Sequence, residues 1–324
     1  MARRVGCLIL LLAVLGAGVL AGNFLWGWNG AGPAEEEISF ILPEGTSLTE
    51  AAALLEEAGA VRSASAFLNR AKILGNGDPI KAGEFLIPAG ASNADILAIL
   101  QGNDFVLRLV TIPEGMPSIL VHETLMAEPL LTGEIAIPAE GSVLPESYSF
   151  ERGESRAAVL GRMQEAMRET LTDLWDKRSS DIAVSSPEEA VVLASIVEKE
   201  TGVAEERRTV AGLYSNRLKR GMMLQADPTV IYPVTRGKPL GRRILRSELN
   251  AVNDYNTYTS LGLPKGPITN PGRASIAAVL NPAQTSAIYM VADGNNGHVF
   301  ADTLEEHNRN VERWFAIRRQ RGEM

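Results

Sequence analysis

The sequence predicts an α+β fold behind a single membrane-spanning helix. Three observations carry this: an uncharged apolar run near the N-terminus, a repeated strand–turn–helix unit in the first half, and amphipathic helices followed by a loop-rich stretch and a hairpin in the second.

Ala2-Arg3-Arg4 precedes a run from Val5 to Trp28 interrupted only by glycines, Asn23 and Cys7. About 20 apolar residues suffice to cross a bilayer. Trp26 and Trp28 suit the interface at the far end, and the arginines place a stub at 1–4 in the cytoplasm. A cleaved signal peptide is the competing reading, with Val19-Leu20-Ala21 as a small-residue cleavage site. Because the run stays apolar past Ala21, an uncleaved anchor over 5–28 is favoured. Either reading leaves the remainder outside the cytoplasm. A Gly/Pro-rich linker, 29–37, follows.

Residues 38–137 carry the repeat. Ser39 to Ser47 leads into a helical stretch, Leu48 to Ala58. Glu84 to Ser92 leads into Ala94 to Leu100, and Leu107 to Met116 into Ser118 to Leu125. Each unit reads as a short strand, a Pro-x-Gly turn, a cap and a helix. This small αβ module resembles LysM-type glycan binders, and the alternative is a plain spacer.

The second block, 138–324, enters irregularly through Leu144 to Phe150. Helices are expected over Ala157–Lys177, over Pro187–Thr201 with Ser186 as cap, and over Glu205–Arg220 ended by Gly221. Met222 to Pro271 reads as loop. Ala274–Leu280 is a further helix. Ala287–Ala292 and His298–Asp302 flank a turn as a hairpin, and Glu305–Arg319 closes the chain.

Composition removes several functions. With 45% hydrophobic and 22% charged residues in 324, the chain is folded and long enough for two domains. A net charge of −8, without an aromatic-interleaved basic stripe, argues against nucleic acid. Cys7 is the single cysteine, so no disulfide or thiolate metal site is expected. The apolar run follows Cys7 rather than preceding it, which excludes a secreted-lipoprotein lipidation cysteine. Three histidines without i, i+4 spacing leave no helical zinc pair. Asp293 to Gly297 departs from a calcium loop in its early glycine and in Leu304 where the closing acid belongs. No metal or cofactor is expected.

The chemistry centres on Leu193-Ala194-Ser195-Ile196-Val197-Glu198-Lys199-Glu200-Thr201. Leu193, Ile196 and Val197 mark an apolar helical face, and Glu200 is the next member of that series. Glu198, about 200° away, falls on the polar side. A carboxyl on an apolar face is desolvated and holds its proton toward neutral pH, as a general acid must. The alternative is a frayed helix end with Glu200 in water. No G-x-S-x-G elbow surrounds Ser195 and no phosphate-cradling loop occurs. Two polar, aromatic stretches, Leu224 to Tyr232 and Asp254 to Thr259, offer rings for sugar faces and amides for hydroxyls. Each alone could be a turn; in succession they suggest a cleft wall.

Those two stretches and the Glu-x-Glu segment, with Gly262-Leu263-Pro264, Asn270-Pro271-Gly272, Val291 to Gly294 and Gly297 to Phe300, occur in this order. Together they resemble the endolytic murein transglycosylases (MltG, YceG-like), over nearly everything from Pro138 onward. The resemblance implies cleavage of the MurNAc–GlcNAc bond within nascent peptidoglycan strands, leaving a 1,6-anhydro-MurNAc end. It makes Glu200 the catalytic residue, with Gln225, Asp227, Thr229, Tyr232, Asn256, Tyr258 and His298 around it as substrate contacts. It also implies a cell-membrane location, glycan strands as substrate and the peptidoglycan synthesis machinery as a neighbour. Two departures, Pro233 for the usual glycine and Lys265 for the usual proline, fall at loop edges and bear on subsite shape. Two rivals remain: a glycoside hydrolase pairing Glu200 with Asp227, and a non-catalytic peptidoglycan-binding scaffold.

Overall fold

The computed structural model describes residues 2–323, with side chains from residue 10 onward. Met1 of the expected stub, and the side chains of Arg3, Arg4 and Cys7, lie outside the described residues. Helix α1 (Ala2–Asn29) contains one stretch, Leu10–Asn29, long and apolar enough to cross a membrane. The remainder mixes helices with three two-stranded sheets, an α+β fold.

The chain forms two compact units, 1–108 with 150–153, and 109–149 with 154–324. In the first, β1 (Ile38–Leu42) and β2 (Gly83–Ile87) pair antiparallel with Phe40 opposite Phe85. Helices α2 (Leu48–Glu57), α3 (Ala64–Leu74) and α4 (Asn93–Gln101) cover the sheet. Phe40, Leu55, Phe67, Phe85, Ile96 and Leu100 form its core. Ser47 with Glu50, and Ser92 with Asp95, make reciprocal capping boxes that fix where α2 and α4 begin. The turn glycines Gly45 and Gly90, and Gly115 in the second unit, adopt φ of +78°, +70° and +72°, conformations costly to any residue with a Cβ. All three repeats therefore have the expected strand, turn and helix.

Two expectations change here. Helix α3 was not anticipated, because only Phe67 and Ala71 of its eleven residues are fully buried and so narrow a face leaves no clear apolar stripe. Residues 29–37 are not slack chain. The Gly32 N–H donates to Gly90 O (3.1 Å), and the Gly90 N–H donates to Ala34 O (2.8 Å). The last turn of α1 joins in. Trp28 is buried against Phe67, the Asn93 amide donates to Gly27 O (2.8 Å), and Arg70 Nε donates to Phe24 O (3.1 Å).

The second unit begins earlier than the 137/138 division read from sequence. Strand β3 (Arg108–Thr111) pairs with β4 (Ser147–Phe150), which had read as irregular entry, and leads into α5 (Ser118–Ala127). Asn270 explains the third repeat's allegiance to this unit. Its carbonyl accepts from Gly115 N–H (3.0 Å), its side-chain amide donates to Met116 O (2.9 Å), and its Oδ1 accepts from Val143 N–H (3.1 Å).

Helices α6 (Arg156–Asp176), α7 (Pro187–Glu200) and α8 (Arg207–Lys219) are the amphipathic ones foreseen. Helix α7 is central. Leu193, Ala194, Ile196 and Val197 pack with Val210 and Tyr214 of α8 and with Ile276 and Val279 of α11 (Arg273–Leu280). The stretch expected as loop holds α9 (Asp227–Thr235) and the one-turn α10 (Arg246–Leu249). Pro228 and Pro233 hide α9 from a periodicity argument. Pro233 therefore lies inside a helix, removing one backbone donor, rather than at a loop edge. Strands β5 (Tyr289–Ala292) and β6 (His298–Ala301) form the expected hairpin, and α12 (Leu304–Gln320) follows. The Asp293 carboxylate accepts from Asn295 N–H (2.6 Å) and Gly297 N–H (3.0 Å), closing the turn between them.

Candidate active site

Helix α7 ends at Glu200, and both Glu198 and Glu200 are half-buried. Glu200 faces inward: its Oε1 is buried and has no hydrogen-bond partner among the described residues. Burial pushes its carboxyl up to about 7. The nearby Asp227 charge adds to the rise, while the Tyr214 hydroxyl and the Arg217 charge oppose it. A carboxyl poised near 7 can give a proton and take one back at neutral pH.

Glu198 turns the other way, but it is not simply solvated. Its Oε2 accepts from the Gly272 N–H (2.9 Å), at the N-cap of α11. A negative charge there also complements the N-terminal end of that helix. A Cβ at Gly272 would lie 2.0 Å from Oε1 of the half-exposed Glu114 side chain, which would have to swing aside. The Asn270-Pro271-Gly272 segment thus clamps the back of the acid-bearing helix.

Asp227 and Tyr258 bring the two polar stretches together beside Glu200. The Tyr258 hydroxyl donates to Asp227 Oδ1 (2.6 Å), and burial and the Asp227 charge hold the phenol's proton more tightly than usual. Gln225 sits just before, exposed, with φ +50°; its N–H donates to Thr257 O (3.1 Å). Gln225 and Asp227 are both exposed on this turn.

Other predicted contacts are spoken for inside the fold. Thr229 is fully buried; its hydroxyl donates to Ala226 O (2.7 Å) and meets the Thr257 hydroxyl at 2.8 Å. Asn256 is also fully buried. Its amide donates to Ala251 O (2.7 Å) and Leu249 O (3.0 Å), and its Oδ1 accepts from Tyr258 N–H (2.9 Å). Both residues lock the loops together through these bonds. The Tyr232 hydroxyl donates to Glu140 Oε2 (3.2 Å) and its ring packs on Tyr255. It helps line a cavity of about 420 Å³ with Lys199, Met116 and Pro228, whereas Glu200 and Asp227 are not among the lining residues. His298 pairs with Glu206, Nδ1 to Oε2 at 3.0 Å, and its N–H donates to Glu206 Oε1 (2.8 Å). Glu206 also accepts, at 3.5 Å, from the hydroxyl of Thr201, the residue after Glu200.

Sequence reasoning missed Arg217 and Tyr214. Arg217 is buried, with Nε donating to Ile288 O (2.6 Å) and Nη1 donating to Leu224 O (2.8 Å). Its hydrogen-bond partners are neutral carbonyls, and its charge is the weakest of the influences on the Glu200 carboxyl. The signal was present: Val210, Tyr214 and Arg217 follow one another at helical spacing, a cation on an apolar face. Ser195 is buried too. Its hydroxyl donates to Val192 O (2.7 Å) and accepts from Ile268 N–H (3.1 Å), which fits no nucleophile.

The YceG-like family matches residues 40–313, most of the chain. An endolytic murein transglycosylase of Bacillus subtilis is 25% identical over 94% of this chain and 93% of its own length. One from Streptococcus pneumoniae (strain D39) is 29% identical over 83% of this chain, which spans only 57% of that longer protein. The crystal structure of a yceG-like protein from Listeria monocytogenes superposes with a TM-score of 0.50 at 26% identity, covering 85% of this chain and 99% of that one.

Proposed function

Given that this chain belongs to the YceG-like family, we propose that it is an endolytic peptidoglycan transglycosylase acting through Glu200. One observation carries the reading: a buried carboxyl with an unpartnered oxygen, held up to about 7. In the neutral form Glu200 delivers its proton to the oxygen leaving between MurNAc and GlcNAc. The resulting carboxylate then takes the proton of the sugar's own 6-hydroxyl as that oxygen closes on C1. The bond to the leaving sugar breaks, a 1,6-anhydro ring forms, and the carboxyl is regenerated without water. One carboxyl serves both transfers because the nucleophile is internal, unlike the two-carboxylate scheme of hydrolases.

The flanking groups support this double duty. Asp227 raises the proton affinity and Arg217 restrains the rise, which keeps both protonation states accessible near pH 7. Asp227 also motivates the rival reading, in which it acts as base or nucleophile for hydrolysis. Product mass separates the two. Anhydro ends support the lytic reaction; ends heavier by one water would overturn it in favour of hydrolysis.

The apolar span of α1 supports a single-pass anchor, with the N-terminus cytoplasmic and both compact units outside. A glycan-holding, LysM-like role for the first unit is supported by its strand–helix–helix–strand order. In this setting the substrate is the nascent strand, and the synthesis machinery is the neighbour that supplies it. N-terminal sequencing of the native protein tests the anchor: a start near Gly22 would refute it.

A further inference from the structure

We propose that the pocket where α1 packs against α3 and α4 within the first unit binds the phosphate of a membrane-lipid headgroup. The pocket measures about 270 Å³, and its lining includes Arg62, Arg70, Asn23, Asn93 and Trp26. No carboxylate is among the lining residues, and neither arginine forms an ion pair with one among the described residues. Two guanidiniums free of ion pairs favour an anion, since a planar guanidinium offers paired donors to phosphate oxygens, and the Glu56 carboxylate at the start of α3 is engaged by the Ala64 N–H (2.9 Å).

Arg70 is held in place for that task. Its Nε donates to Phe24 O (3.1 Å), and its guanidinium lies 5.4 Å from the centroid of the Phe24 ring. A Cβ at Gly27 would come within 2.3 Å of its Nη2, so the glycine is what lets the group lie flat on α1. Asn93, donating to Gly27 O (2.8 Å), fixes the opposite wall. Arg62 approaches from the start of α3 and makes no side-chain bond of its own among the described residues, leaving its donors for a ligand.

Depth identifies the anion's source. The inference rests on α1 being the membrane anchor. Residues 5–22 of α1 then span about 27 Å, close to the thickness of the hydrocarbon layer. Asn23 to Gly30 come out at headgroup level, where the 68%-exposed Trp26 suits the interface. The group of matching charge and abundance at that level is a phosphodiester on a lipid already in the bilayer.

The test uses the full chain in detergent micelles, with lipids retained in native mass spectrometry. Dioleoyl phosphatidylglycerol should remain bound at one copy per chain, and dioleoylglycerol, which lacks the phosphate, should not. Arg62→Gln, which breaks no bond within the protein, should weaken retention about fivefold, and Arg62→Gln with Arg70→Gln about 25-fold, from a charge contribution of about 1 kcal/mol per arginine. Equal retention of dioleoylglycerol, or a double variant as tight as wild type, overturns the proposal. Displacement by equimolar inorganic phosphate would also overturn it, showing a free-anion site. Flotation with vesicles separates this from the anchor reading. A wild type that does not float overturns both, whereas one that floats while the double variant retains the lipid as tightly as wild type overturns the headgroup site alone.

Discussion

Replacing Glu200 with Gln tests the acid in two independent measurements. The amide keeps the shape but can neither ionise nor deliver a proton. Strand cleavage should fall by about 10² to 10⁴, the usual worth of general acid–base help, and toward the upper end because one group performs both transfers. Stability should move the other way. The folded carboxyl sits at about 7 against an ordinary 4.5, so the native state holds the proton more tightly than the unfolded chain between those values. The wild type is therefore favoured by this group below 4.5 and loses that contribution as pH rises through 7. The difference corresponds to about 3 kcal/mol at 1.4 kcal/mol per pH unit, trimmed by residual solvent contact. Denaturant unfolding of the full chain in micelles at pH 5 and 8.5 reads this directly. The variant should gain about 2–3 kcal/mol on wild type between the two pH values, while other carboxylates cancel in the comparison. Parallel pH dependences would refute the buried-acid argument, and retained cleavage would refute the catalytic assignment.

Other substitutions follow from named contacts. Glu198→Ala leaves the Gly272 N–H without its acceptor and should cost about 1 kcal/mol or somewhat more in denaturant unfolding, whereas Glu198→Gln, which keeps an oxygen, should cost less. Neither should alter the product, and an inactive Glu198→Gln beside an active Glu200→Gln would invert the assignment. Asp227→Asn removes a charge that raises the Glu200 proton affinity, so the alkaline limb of the cleavage–pH profile should shift to lower pH; an unmoved limb would remove Asp227 from the electrostatics of the site. Thr229→Val strands the Thr257 hydroxyl in the buried loop junction and should cost about 1–3 kcal/mol, measurable as a lowered melting temperature.

What the sequence could disclose depended on the kind of interaction. Glu200 was legible because helical periodicity fixes which face a residue occupies, and one acid in an apolar series stands out. The repeats were legible through their Pro-x-Gly turns and caps, which are local chemistry. Arg217 needed only the same face argument applied to α8. The holding roles of Asn256, Thr229 and Asn270 were not legible. An amide that bonds three carbonyls within its own loop has the same sequence signature as one waiting for a sugar hydroxyl, and only the folded path distinguishes them. The clamp between Glu198 and Gly272 joins residues 74 apart in sequence, a distance no periodicity bridges. Likewise, α9 carries two prolines and one charged residue in nine positions, so its helicity comes from the packing of Thr229 and Val230 rather than from propensity.

The burial of Trp28 against Phe67 moves the limit of what can fold in water. A shortened chain starting at Ile38, where the first strand begins, would look complete by its strands and helices. It would nevertheless lack one aromatic plug of its own interior, a gap of the size that costs about 3–5 kcal/mol when an aromatic is truncated to alanine. Lengthening the chain back to Gly27 restores the plug while leaving most of α1 behind. The smallest form of the first unit with its aromatic interior intact therefore starts inside helix α1, and the end of the apolar stretch is not the boundary of the domain.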